Sequence, residues 1–402
     1  MHKKSVSALL LVFLLLSFSG CMAPNTRFSD IAERFSVLLE ELPETISVRA
    51  LEKQNAQLRE PDYVDWQTSR LYYAALTEKE QLAYRCIYNN IFGQPERIAV
   101  PMLENGELNN VFTALQYDNT QLLFLSDTAS LLTAGISCYF VPSYTLSYWT
   151  AREQITLCAQ NARAWLQGLP EDVSQYEKLL FAHDILCEQT VYEQTDFASQ
   201  ANGVLLEQKA TCAGYSKALK WMLDILGIEN CLVTGSADGG DGAVSHMWLA
   251  VNTDGAWSFC DPTWDDPVAE DGRQVVEHSY FSLSQTRLSL THSNIEMPAG
   301  VVCDREDTDY FMRKGLYCIP ETYRRVIAGG LQEGLQSGAE FVTFRFDTVQ
   351  SLQEACEELL ENGDIYRILD DLQDTGRHLQ TDRIGYAADE ERLQLKLIFS
   401  FE

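Results

Sequence analysis

Residues 209–267 decide how this chain reads: "KATCAGYSKALKWMLDILGIENCLVTGSADGGDGAVSHMWLAVNTDGAWSFCDPTWDDP". Three reactive residues occur in it in the order Cys212, His246, Asp261. Tyr215, Ala218, Leu219, Met222, Leu223 and Leu226 recur at helical spacing, and Gly227 supplies a natural C-cap. The pattern therefore predicts a helix with Cys212 in its first turn. A helix N-terminus stabilises negative charge, which favours a thiolate there, and its unpaired backbone amides can face a developing oxyanion. The bland alternative is an inert buried cysteine, but Lys209, Thr211 and Gly214 make the surroundings polar.

Downstream, "CLVTG" reads as a strand and "SADGGDGA" as a glycine-rich loop. "SHMWLAVN" and "AWSFCDPT" read as two strands joined by a turn at Thr253, Asp254 and Gly255. A four-residue loop at 252–255 sets Asp261 opposite His246. A two-residue loop of Asp254 and Gly255 sets it opposite Trp248. Because side chains alternate with period two, both registers keep His246 and Asp261 on one face. The carboxylate then reaches the imidazole, fixes its tautomer and favours its protonated form. Alone, each residue is a turn carboxylate or a satisfied histidine; with a helix-start cysteine they form the layout of a thiol acyl-transfer site. No fourth ligand at useful spacing accompanies them, and there is no C-x-x-C or H-E-x-x-H, so neither a metal nor a cofactor is expected.

With these motifs in view, residues from about 175 to 285 resemble the transglutaminase-like superfamily of papain-fold thiol enzymes. The resemblance rests on "HDIL…VY", "TCAGYSKALKWMLDILGI", "SHMWLAV" and "WSFCDPTWDD". It implies that Cys212 is the nucleophile, His246 the general base and acid, and Asp261 the residue that orients His246. It also implies a papain-like core in which the helix bearing the nucleophile packs on an antiparallel sheet. Met247 departs from the family, where alanine more usually follows the histidine. For the oxyanion, the Cys212 backbone N–H is one expected donor. Gln208 is the side-chain candidate, set against the plain reading of a surface glutamine before a loop. Trp248 and Trp264 are expected to pack around the catalytic pair and exclude water.

The rest of the chain supplies context. His2, Lys3 and Lys4 precede an apolar run from Val6 to Phe18, then Ser19, Gly20 and Cys21. This resembles a bacterial lipoprotein signal at residues 1–20 with Cys21 as the lipidated residue; the alternative is an uncleaved anchor. The run falls short of the roughly 20 residues that span a bilayer. The chain has 402 residues, with 46% hydrophobic and 22% charged, which is ordinary for globular protein and long enough for two or three domains. A net charge of −28 argues against nucleic-acid binding, since nothing offsets phosphate repulsion. Eleven cysteines invite a disulfide framework, but setting aside Cys21 and Cys212 leaves an odd number. Cys86, Cys158, Cys187 and Cys356 sit in helix-like patterns where free cysteine packs as a small hydrophobe, and one or two disulfides stay open.

Thr77 to Glu80 and Ser174 to Glu177 read as capping boxes opening helices. A helix-like run at 28–42 follows the tether, and residues 100–150 look strand-rich, with "LLFL" at 122–125 and "CYFVPSYTLSYW" at 138–149. His183, beside Asp184 in a helical segment, reads as packed and hydrogen-bonded rather than catalytic. From about 305 the texture changes to a helix at 321–336, an alternating "EFVTFRFD", a helix through Leu352, Cys356, Leu359 and Leu360, and a final period of two from Leu393 to Phe401. The expected architecture is α+β: signal peptide 1–20, tether and α+β N-terminal domain 21–150, catalytic domain 151–304, and small α/β accessory domain 305–402. The expected function is an extracytoplasmic, lipid-anchored thiol enzyme acting on peptide or amide bonds of a protein, peptide or cell-wall substrate, hydrolytic rather than cross-linking. The alternative is a binding module for peptide or cell-wall polymer that kept the fold and lost turnover.

Overall fold

The computed structural model describes residues 47–240, 242–267, 275–372 and 384–399. Cys21, the segment before it, the helix-like run at 28–42 and Phe401 lie outside the described residues. The chain divides into two compact units. The first runs to Thr234 and adds Ser245–Asp254 and Glu296–Val301; the second comprises Gly235–Val244, Gly255–Ile295 and the chain from Val302 onward.

The first unit opens with helices α1 (Val48–Gln54), α2 (Leu71–Ala75) and α3 (Glu78–Ile91). Helix α3 starts where the sequence places it: the Glu80 amide donates to Thr77 Oγ1 and the Thr77 amide to Glu80 Oε2. Strands β1 (Ile98–Val100), β2 (Leu125–Ala134) and β3 (Ser137–Tyr144) form an antiparallel sheet in the order β1-β3-β2. Between β1 and β2 lies helix α4 (Asn105–Asp118), which corrects the strand-rich reading of 100–150. A glutamate cap is the missed signal, because Glu104 and Glu107 close a reciprocal capping box. "LLFL" is a buried turn leading into β2, and the strand at 138–149 stops at Tyr144 because Ser147 caps helix α5 (Tyr148–Leu166).

Helix α6 (Gln175–Gln189) opens on the expected Ser174 box. A short strand β4 (Val191–Tyr192), one π-helical turn at Gly203–Glu207 and strand β5 (Lys209–Ala210) lead into helix α7 (Cys212–Ile225). Gly227 takes φ 69° as its C-cap position requires. Helix α7 is enclosed on nearly every side, so its polar residues need internal partners. Lys220 Nζ lies 3.3 Å from Asp224 Oδ2 and donates to Ser69 O at 3.1 Å, while Asn230 Nδ2 donates to Asp224 Oδ1 at 3.1 Å. This network ties the chain near residue 69 to the helix that carries Cys212. Strands β6 (Asn230–Ala237) and β7 (Val244–Thr253) follow, with the Asn252 amide donating to Glu229 O at 2.8 Å. Strand β7 is separated from β8 (Ala256–Cys260) by Asp254 and Gly255 alone, at φ 56° and 85°, as a two-residue type I′ loop demands.

The second unit holds β8, helix α8 (Gln285–Leu288), strand β9 (His292–Glu296), helix α9 (Tyr310–Arg313) and a C-terminal sheet. That sheet runs β10-β11-β13-β12, from Tyr317–Cys318 (β10), Phe341–Phe346 (β11), Gly385–Asp389 (β12) and Gln394–Ile398 (β13). Its β10–β11 pair is parallel and the other two pairs are antiparallel. Helices α10 (Tyr323–Ser337), α11 (Val349–Cys356) and α12 (Asp364–Asp371) pack their apolar faces against Phe344, Phe346, Leu395 and Leu397. The accessory helix and strand patterns read from sequence thus stand, and the chain is α+β.

This sheet also grips the segment around Ser279. Arg345, 2% exposed, pairs through Nη1 with buried Asp309, and its Nη2 donates to Ser279 O. Ser279 Oγ donates to Gln394 Oε1 at 3.0 Å, and Lys396 Nζ reaches Glu277 Oε1 at 2.6 Å. Removing one partner of a buried pair leaves the other charge uncompensated, at a cost of about 3–5 kcal/mol. Arg345→Met is therefore expected to lower stability by that order in a denaturant melt. The double variant Arg345→Met, Asp309→Leu should regain much of the loss; equal loss in both would show that the charge is not the cause. Cys86, Cys138, Cys158, Cys212, Cys231, Cys318 and Cys356 are free thiols. No helix among the described residues is long and apolar enough to cross a membrane.

Candidate active site

Helix α7 begins at Cys212, as its pattern predicts, and the residue is half-buried. Thr211 occupies the N-cap position, yet its hydroxyl donates to Ala198 O at 3.3 Å and does not cap the first turn. The Thr211 amide also donates to Ala198 O, at 2.9 Å. The loop at Ala198 therefore lies hard against the start of α7, and Gly214 makes that approach feasible. A Cβ at Gly214 would sit 2.2 Å from Ala198 O and 2.8 Å from Ala210 Cβ. Gly214→Ala should thus push the loop and the first turn apart. We expect a loss of about 1–3 kcal/mol, as for other overpacked sites, with slower alkylation of Cys212. Gly106→Ala, where a Cβ meets nothing within 4 Å, is the control and should leave both unchanged.

One turn beyond Cys212, Ser216 Oγ donates to Met247 O at 2.9 Å. That bond fixes α7 against strand β7 at the residue next to His246. His246 is 6% exposed and stacks on fully buried Trp248, with centroids 5.9 Å apart and planes at 23°. Stacking on an immobile indole restrains the ring, so the predicted aromatic neighbour is present. Strand β4 pairs in parallel with β5, the strand entering Cys212, and leaves Val191 and Tyr192 exposed. They form an apolar lip on the approach to the helix.

Gln208 takes the left-handed conformation at φ 57°. Its side chain is exposed and Nε2 donates to Gln189 Oε1 at 3.2 Å. His183 is fully buried within α6, with Nδ1 2.9 Å from Asp184 Oδ1 and Nε2 3.9 Å from Cys187 Sγ. A packed, hydrogen-bonded histidine is what its sequence position suggested.

Asp261 belongs to the second unit and is wholly buried just past the end of β8. Its Oδ1 accepts from the amides of Thr263 at 3.0 Å and Trp264 at 3.3 Å. The Asp261 amide donates to Tyr280 O, and the Tyr280 amide to Asp265 Oδ1 at 2.7 Å. On the other oxygen, Asp261 Oδ2 lies 3.2 Å from His292 Nε2, and both side chains are fully buried. Trp264 packs on His292 at 4.8 Å and on Tyr280 at 5.0 Å. The first unit thus holds Cys212 and His246 beside one another's elements, and the second holds Asp261 in a cage of donors. Sequence reasoning missed His292. It is a lone histidine in "THSNIE", 31 residues beyond Asp261, with no motif around it. Only the adjacent Thr291, whose Oγ1 lies 2.9 Å from His292 Nδ1, hinted at a polar partner.

Residues 160–262, about a quarter of the chain, match the family model of the transglutaminase-like superfamily. Two solved structures align with the chain. One is a candidate cysteine protease from Cytophaga hutchinsonii, at 15% identity over 35% of this chain and 56% of that one, with TM-score 0.24. The other is described as a TGase, at 16% identity over 54% of this chain and 58% of that one, with TM-score 0.23. This chain therefore spans less than two thirds of either structure. No curated protein matches it in sequence.

Proposed function

We propose that this protein is a thiol acyl-transfer enzyme acting on peptide or amide bonds, with Cys212, His246 and Asp261 as its catalytic triad. The observation that carries the reading is the Ser216–Met247 hydrogen bond, which anchors the helix opening at Cys212 to the strand residue next to His246. The two-residue loop of Asp254 and Gly255 supports it further. Of the two registers weighed above, this loop length corresponds to the one setting Asp261 opposite Trp248, on the His246 face.

In this reading His246 takes the Cys212 proton, and the thiolate attacks the substrate carbonyl carbon. The amide amine leaves with the proton that His246 returns, and a thioester remains on Cys212 Sγ. Water, deprotonated by His246, then attacks the thioester, releasing the acid and the thiol. Asp261 keeps the imidazole in the required tautomer and supports its charge. The helix-start amides, which Thr211 does not cap, stand toward the oxyanion, with Gln208 as the candidate side-chain donor. The exposed apolar lip of Val191 and Tyr192 fits the side chains of a peptide substrate better than a bare sugar. Half-exposure of Cys212 admits water as acceptor and favours hydrolysis over cross-linking.

We further propose that the mature chain is anchored by lipid at Cys21 on the outer face of a bacterial cell membrane, where the substrate is protein, peptide or cell-wall peptide. Metabolic labelling with a fatty-acid analogue tests the anchor: Cys21→Ala should abolish label and normal processing. An equally processed, membrane-held variant would remove the assignment. Hydrolysis is tested by incubating the protein with a peptide library, with and without a primary amine. Free carboxylate products lost in Cys212→Ala are expected; amine adducts alone would reassign it as a cross-linking enzyme.

A further inference from the structure

We propose that His292 is a positioning residue of the catalytic site, holding the Asp261 carboxylate in place through its Oδ2 atom. This inference rests on the triad reading above and extends it. Asp261 is fully buried, and a buried carboxylate persists as an anion only when hydrogen-bond donors replace the water it has lost. Donors that do so include the Thr263 and Trp264 amides on Oδ1 and His292 Nε2 on Oδ2. The first two are fixed by the turn after β8. His292 is a side chain arriving from another strand, β9, and it bonds the oxygen that those two amides do not.

The proton's place follows from the partners. An imidazole nitrogen 3.2 Å from a carboxylate oxygen must carry a hydrogen, so Nε2–H donates to Asp261 Oδ2. Nδ1 then faces the Thr291 hydroxyl, which turns to donate to a neutral ring or to accept from a charged one. The ring is packed at a tilt against Trp264, at 4.8 Å and 58°, and Tyr280, at 5.4 Å and 54°. Within the second unit, the titratable and charged groups around it include Asp261, Tyr280, Asp265 bonded to the Tyr280 amide, and Arg392 over the Tyr280 ring at 5.6 Å. Misplacing a catalytic group by about 1 Å can cost about 100-fold in rate, which sets the scale of the effect.

The experiment uses the full chain and iodoacetamide as the probe, because the alkylation rate of Cys212 reports the thiolate that His246 and Asp261 maintain. Rates are measured against pH for wild type, His292→Ala and His292→Gln, with melting temperatures alongside. Glutamine places an amide N–H near the position of Nε2 without an ionisable ring. His292→Ala should slow alkylation at neutral pH by up to about 100-fold and move the acid limb of the profile to higher pH, since Asp261 loses a donor to its anion. His292→Gln should restore both. A folded His292→Ala variant with the wild-type profile overturns the proposal. So does a His292→Gln variant as slow as His292→Ala, which would make the role one of packing. The triad reading fails separately if wild-type Cys212 alkylates no faster in the folded protein than in urea, and His292 then loses its assigned role with it.

Discussion

Iodoacetamide at neutral pH is expected to label Cys212 in the folded protein at least ~100-fold faster than any other described cysteine. The contrast has two sources. Burial pushes the thiols of Cys86, Cys231 and Cys318 up to about 12, and that of Cys158 higher still. At pH 7 a thiol with pKa about 12 is thiolate in about one part in 10⁵, and its sulfur is sheathed in apolar packing besides. Burial raises Cys138 and half-buried Cys356 in the same direction. Cys212 is half-buried, opens α7, and has His246 on a strand bonded to its helix. Intact mass after brief labelling should show one adduct, and peptide mapping should place it at Cys212. Equal labelling of several cysteines would remove the basis for an enzyme.

The second large effect separates a triad from polar residues that are merely near. His246→Ala should abolish turnover and slow Cys212 alkylation, because in the triad reading the imidazole takes the thiol proton. Asp261→Asn keeps size and one oxygen for the Thr263 and Trp264 amides but removes the charge, so activity should fall by about 10²–10⁴. Its melting temperature should stay close to wild type, since the Thr263 and Trp264 amides keep their acceptor and the His292 ring can change tautomer to accept from the new Nδ2–H. His183→Ala is the control. That residue is buried in α6 against Asp184 and Cys187, so its loss should lower the melting temperature and leave the surviving protein active. An inactive, well-folded His183→Ala beside an active His246→Ala would reassign the histidine.

Much of the local structure was legible because its signals are local. The capping boxes at Thr77 and Ser174 set two helix starts to the residue, since a capping box needs only four consecutive positions. Periodicity placed Cys212 at the head of α7, and alternation found β11 and β13. Helix α4 escaped because its cap is glutamate at Glu104 and its first residues, Asn105 and Gly106, look like a turn. The strand expected at 138–149 overran because aromatic residues favour sheets, whereas the Ser147 hydroxyl decides for helix.

The amino-acid sequence by itself determined the local placement of three reactive residues: a cysteine at a helix start, a histidine on a strand and an aspartate just past the end of the next strand. Hydrophobic periodicity and turn residues carry that information within short windows. Tertiary structure alone decided what surrounds those groups. His292 reaches Asp261 across 31 residues, Arg345 clamps Ser279 across 66, and Ser216 fixes Met247 across 31. Such contacts are chosen by burial, where each polar atom must find a partner wherever the packed chain brings one, and no local pattern records that choice.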